Sequence, residues 1–260
     1  MSRDNGLVRL LLVAMGLSAG CGRLGFGAAG DAGAASDTLS GDVGADGKAA
    51  SPIALVQEAV QQGEPVASVT VTLGAAVQPG HLLVMMASTD TMVTSITSVT
   101  GGGATWAQIA SVPGLGGSCT GCIRGAMWAG RSTGGTGSVR VDFATAGDDV
   151  AVSVTEWSGL AGFDAAVQAG PSTTTQVATG ALATTEPGEL VLAMGAWDRA
   201  DVVAGPASGF TALMPSVVPN NSYLASGWLV AAAPGSIGTT WELTAAPQAG
   251  ISIVATFKPL

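Results

Sequence analysis

The chain has 260 residues, 18 of them acidic and 9 basic, with a single histidine, His81. A net charge of −9 argues against nucleic acid or an anionic bilayer surface as partner, because phosphate binding needs clustered Lys and Arg, and a lone imidazole excludes metal sites built on two or more histidines. Mean hydropathy is high at +0.47, yet no uninterrupted apolar stretch reaches the roughly 18 residues that a spanning helix needs.

In chain order, Arg3 and Arg9 flank a polar start, and residues 10–17 form a short apolar core ending in small residues. This is the pattern of a secretory signal, too short to span a membrane. Leu17-Ser18-Ala19-Gly20-Cys21 resembles the cleavage box of bacterial lipoproteins. The resemblance implies that residues 1–20 are removed and that Cys21 is lipidated and becomes the new N-terminus. Acyl chains hold a protein at a membrane at about 0.8 kcal/mol per buried methylene, so the membrane partner would be met through lipid. The absence of Asp at Gly22 implies, on the same resemblance, sorting to the outer membrane.

Residues 22–51 contain 23 Gly, Ala, Ser or Asp among thirty. Such a segment buries too little surface to offset its backbone entropy, and as a flexible chain it would reach about 30 Å. Asp42 and Asp46 lack the alternating oxygen ligands and closing glutamate of an EF-hand loop, so residues 21–51 read as a lipidated cysteine and tether.

From residue 52 to 260, short runs rich in Val, Thr, Ile and Trp alternate with Gly, Pro, Ser and Asn clusters. The runs at 67–73, 138–143, 150–155 and 251–257 show the two-residue period of strands, and no helical period is sustained. The predicted fold is all-β, a single large jelly-roll-like sandwich. Pro79-Gly80-His81-Leu82-Leu83-Val84 and Pro187-Gly188-Glu189-Leu190-Val191-Leu192 lie 108 residues apart. Gly125-Ala-Met-Trp128 is similar to Ser226-Gly-Trp228, and 150–159 to 251–259, so two repeated halves are expected at about 53–160 and 164–260. Two arrangements follow: tandem small sandwiches, or one large one to which both halves contribute. The brief, apolar junction at 158–164 favours the second. The runs 82–87 and 190–197 are apolar almost throughout, as central strands covered on both faces would be.

These motifs, with Gly102-Gly103-Ala104-Thr105-Trp106, Glu156-Trp157-Ser158-Gly159-Leu160 and the closing Ala255-Thr256-Phe257-Lys258-Pro259, resemble a family of bacterial extracellular β-sandwich domains found in secreted and cell-surface proteins. The resemblance implies a location and a fold and carries no catalytic residue.

Cys119 and Cys122 form the one cysteine pair left once Cys21 takes a lipid. In an exported protein such a pair is expected as a disulfide, and the strand-like sequence after it lacks the helix start a redox pair would use. His81 has no serine in a nucleophile-elbow context to act on. Carboxylates for glycoside hydrolysis are available in Glu156, Glu186, Glu189, Asp198 and Glu242, but the sequence does not pair them. Trp197, Asp198 and Arg199, with Asn220, Asn221 and Tyr223, have the composition of a carbohydrate site, an aromatic platform with bidentate hydrogen bonders. Asp148 and Asp149 are carboxylates for a structural calcium ion, the one cofactor the composition leaves room for. The expected protein is a lipid-anchored, non-enzymatic module for surface interaction, adhesion or polysaccharide binding. The alternatives are a surface glycoside hydrolase or lyase, and a purely structural envelope protein.

Overall fold

The computed structural model describes residues 52–89, 95–113, 123–147, 149–198, 202–218, 222–247 and 249–260. These residues form strands and turns, and among them no helix is long and apolar enough to cross a membrane. The first half supplies β1 (Ala54–Gly63), β2 (Val66–Thr72), β3 (Leu82–Thr89), β4 (Ile96–Gly101), β5 (Ala104–Val112), β6 (Arg124–Ser132), β7 (Ser138–Gly147) and β8 (Val150–Ser158). The second supplies β9 (Leu160–Ser172), β10 (Gln176–Ala178), β11 (Leu182–Thr184), β12 (Leu190–Asp198), β13 (Val202–Ala204), β14 (Thr211–Ala212), β15 (Ser216–Val218), β16 (Ser222–Val230), β17 (Gly235–Ile237), β18 (Thr240–Leu243) and β19 (Gly250–Pro259).

The two halves pair their strands in the same order. A large antiparallel sheet runs β1-β8-β3-β6-β5 in the first half and β9-β19-β12-β16-β14 in the second, with β15 also on β16. A small sheet runs β2-β7-β4 in one and β10-β18-β13 in the other. The Pro-Gly marks open β3 and β12: Gly80 and Gly188 have φ of 80° and 84°, the conformation that the third position of a type II turn requires. Matching amides tie both turns to the end of the neighbouring strand, Gly80 N–H to Ser132 O at 2.8 Å and Gly188 N–H to Ala231 O at 2.7 Å.

Strand alternation explains the uninterrupted apolar runs. On β3, Leu82, Val84 and Met86 enter one core and Leu83, Met85 and Ala87 another. On β12, Leu190, Leu192, Met194 and Ala196 join the same first core, while Val191, Ala193 and Trp197 enter a third. The first core is shared: the two large sheets face each other across it, with Trp157 and Met127 from one side and Phe257, Ile251 and Ile253 from the other. The outer cores lie between each large sheet and its own small sheet. The sandwich therefore has four layers. Each half folds two of them, and one central core lies between the halves.

One pairing expected between the repeats is displaced. Trp128 lies opposite Met85 and packs against the first half's outer core, whereas Trp228 lies opposite Leu192 and meets Trp157 edge-on in the central core at 5.3 Å. Strand register places Trp228 level with Ala129. A slip of one residue moves a side chain to the other face, and the two tryptophans serve different layers.

Candidate functional site

Three of the five carboxylates considered for catalysis, Glu156, Glu186 and Glu189, fall in two clusters. Glu156 on β8 is fully buried. It accepts the Gln78 N–H at 2.9 Å and a bond from Gln57 Nε2, and it lies 2.6 Å from His81 Nδ1. Gln57 also clasps Ala75, accepting its N–H at 2.9 Å and donating to its carbonyl at 3.2 Å. In the second half Glu189 is the buried carboxylate. It accepts from Thr185 N–H at 2.7 Å, Glu186 N–H at 2.9 Å and Lys258 Nζ at 2.7 Å. Burial pushes its carboxyl up, but the Lys258 ammonium and the two amides outweigh burial and hold it below its ordinary value. Lys258 is raised in turn, chiefly by its hydrogen bond to Glu189.

These clusters occupy the same end of equivalent sheets. In each, the residue before the Pro-Gly turn, Gln78 or Glu186, gives its amide to the carboxylate. The places are exchanged: the carboxylate stands on β8 and its imidazole partner before β3 in the first half, the carboxylate before β12 and its ammonium partner on β19 in the second. Glu189 has no exposed surface, and donors from three directions converge on its Oε1. The Glu156 carboxylate orients the His81 imidazole, and among the described residues no hydroxyl or thiol is bonded to that ring as a nucleophile would be. Chemically, both clusters fasten a turn to a strand.

Of the constellation considered for carbohydrate, Trp197, Asp198 and Tyr223 are among the described residues. Trp197 is fully buried, stacked on Tyr223 at 6.0 Å and 11° and tilted against Trp241 at 6.3 Å. Its ring continues the Val191, Ala193, Gly195 face of β12, and that period already marked it as a core residue. Asp198 is also buried and accepts the Ala249 N–H at 3.0 Å. Trp197 is thus no open stacking platform, and Asp198 fastens a loop. Arg199, Asn220 and Asn221 lie outside the described residues, as do Cys21, Cys119, Cys122 and Asp148. Asp149 is buried beside Glu64, whose carboxyl is pushed up by desolvation first and by the Asp149 carboxylate second. No group of three or more metal ligands occurs among the described residues.

A groove of about 410 Å³ lies on the outer face of the second half's small sheet. Gln176, Glu242 and Ala204 stand in one register row across β10, β18 and β13. Val177, Trp241 and Leu243 point inward, so alternation turns Gln176 and Glu242 outward, where both are exposed. Thr240, Gly205, Pro206 and Ala207 complete the wall. Gly205 has φ of +133°, and a Cβ there would lie 2.9 Å from Thr240 O, so only glycine lets the wall approach β18 this closely. Of these residues the sequence analysis had singled out Glu242 alone. The alternation Gln176-Val177-Ala178 was present, in a run too short to read.

Comparison with family models, curated proteins and solved structures gives no match for this chain.

Proposed function

We propose that this protein is a lipid-anchored, exported binding module whose groove on the β10-β18-β13 sheet takes a neutral glycan. The observation that carries the reading is the groove itself. The exposed Gln176 amide and Glu242 carboxylate and the half-buried Thr240 hydroxyl stand on one face beside the small residues Ala204 and Gly205, which suits bidentate bonding to sugar hydroxyls. The lipobox ending at Cys21 and the tether at 22–51 support display from the outer membrane. The common strand order and turn geometry support two copies of one ancestral unit, in keeping with the resemblance to bacterial cell-surface sandwich domains. The binding reading is preferred to hydrolysis because Glu156, Glu189 and Asp198 are buried, which leaves Glu242 as the acid in the groove.

The test is a titration of the chain with neutral bacterial and plant oligosaccharides. Gln176→Ala and Glu242→Ala are each expected to weaken the best ligand about tenfold through one lost hydrogen bond, and Cys21→Ser to release the protein from the membrane fraction. Absence of binding to every oligosaccharide, or unchanged affinity in both variants, overturns the groove assignment.

A further inference from the structure

The two halves differ most at the end of the sheets opposite the Pro-Gly turns. In the second half, Trp197 and Tyr223 are Cα partners, and their stacked rings occupy the space between large and small sheet. Counting along β3 and β6 from the shared turn, the equivalent positions in the first half are Thr89 and Arg124, which are likewise Cα partners. Two aromatic rings are replaced by a short hydroxyl side chain and a guanidinium, and a cavity of about 30 Å³ remains. Thr89, Ser95, Gln108, Ser111 and Arg124 line it over a floor of Ala87 and Ala126.

Every polar side chain in that lining can donate a hydrogen bond, and none of the described ones is acidic. Arg124 Nε is shut off from water with no hydrogen-bond partner, and among the described residues Arg124 forms none of the ion pairs. A buried N–H without an acceptor is costly. The second half shows that this fold can fill the space with apolar rings. The first half instead keeps a cationic fork over a small void.

We infer that the Arg124 cleft is a binding site for one carboxylate group. The guanidinium presents parallel N–H donors whose spacing matches the two carboxylate oxygens, and Ser95, Ser111 and Gln108 stand beside it as further donors. At roughly 10–15 Å³ per water, the cavity takes two or three heavy atoms: the carboxylate head enters and whatever bears it stays outside. The carboxylate belongs to a small free acid or to a uronic acid unit of a glycan, and the site is independent of the groove in the other half.

The experiment follows the Arg side-chain Nε–H resonances of the full chain during separate titrations with formate, glucuronate and glucose. Formate, glucuronate or both are expected to shift the Arg124 signal saturably, and glucose to leave it in place. Response to formate alone assigns a small acid, and tighter binding of glucuronate assigns an acidic sugar. Arg124→Gln should weaken the acid at least about tenfold. The double variant Thr89→Trp with Arg124→Tyr, which transplants the second half's plug, should abolish binding while raising the unfolding midpoint. An Arg124 signal unmoved by both acids, or equal binding in Arg124→Gln, overturns the inference.

Discussion

Lys258 makes contacts with three acids, at 2.7 Å to Glu189, 3.2 Å to Glu186 and 3.5 Å to Asp164, and only the first of these is fully buried. Glu189 titrates below the ordinary 4.5 in the folded chain. Its stabilising contribution is therefore complete above the ordinary value and is lost as pH falls through the lower folded value. Lys258→Met removes the charge that does most to lower it. The variant should be less stable than the parent at neutral pH, and the gap between their urea midpoints should close on acidification below about pH 4. A gap of constant size at every pH would mean that Lys258 acts through its aliphatic stem. This site was half legible in the sequence. Position 189 stood out as the repeat partner of His81, but its partner on β19 lies 69 residues away, and nothing local announces which cation closes over a buried acid.

The doubly covered strands β3 and β12 were legible because burial on both faces leaves an unbroken apolar run, and the Pro-Gly turns because a positive φ after proline selects glycine. What the strands cover was not legible. Alternation says that Leu82 and Leu83 face opposite ways but not which sheet each meets, so four layers and two layers read alike. The Trp128 and Trp228 offset escaped for a related reason: similar residues near similar positions differ by one place in register. Gly125 tests the central packing at the level of strands. A Cβ there would come within 2.2 Å of Ile251 Cδ1 and 3.2 Å of Met194 Cε across the facing sheet. Gly125→Ala should cost about 1–3 kcal/mol by overpacking, and Ile251→Val about 1 kcal/mol by a lost methyl. The double variant should cost less than their sum in chemical denaturation, since the second change makes room for the first. Strict additivity would show that β6 and β19 do not meet there.

At the scale of the whole molecule, the central core belongs to neither half alone. A chain stopped after Ser158 retains β1 to β8 and its own outer core, but it exposes the face bearing Leu82, Val84, Met86, Met127 and Trp157 that β12 and β19 otherwise cover. Such a fragment should self-associate through that face, as two copies of the first half in place of a first and a second. Sedimentation at micromolar concentration would read a dimer or larger species, and a monodisperse monomer would sink the idea. The position of β19 has a further consequence, in time. It lies between β12 and β9 at the middle of its sheet, so the second sheet stays split in two until residues 250–259 arrive. Pairings this distant along the chain place folding in the slow class, roughly milliseconds to seconds. In a polypeptide threaded through a membrane from its amino end, the second sheet would thus stay open until β19 had crossed.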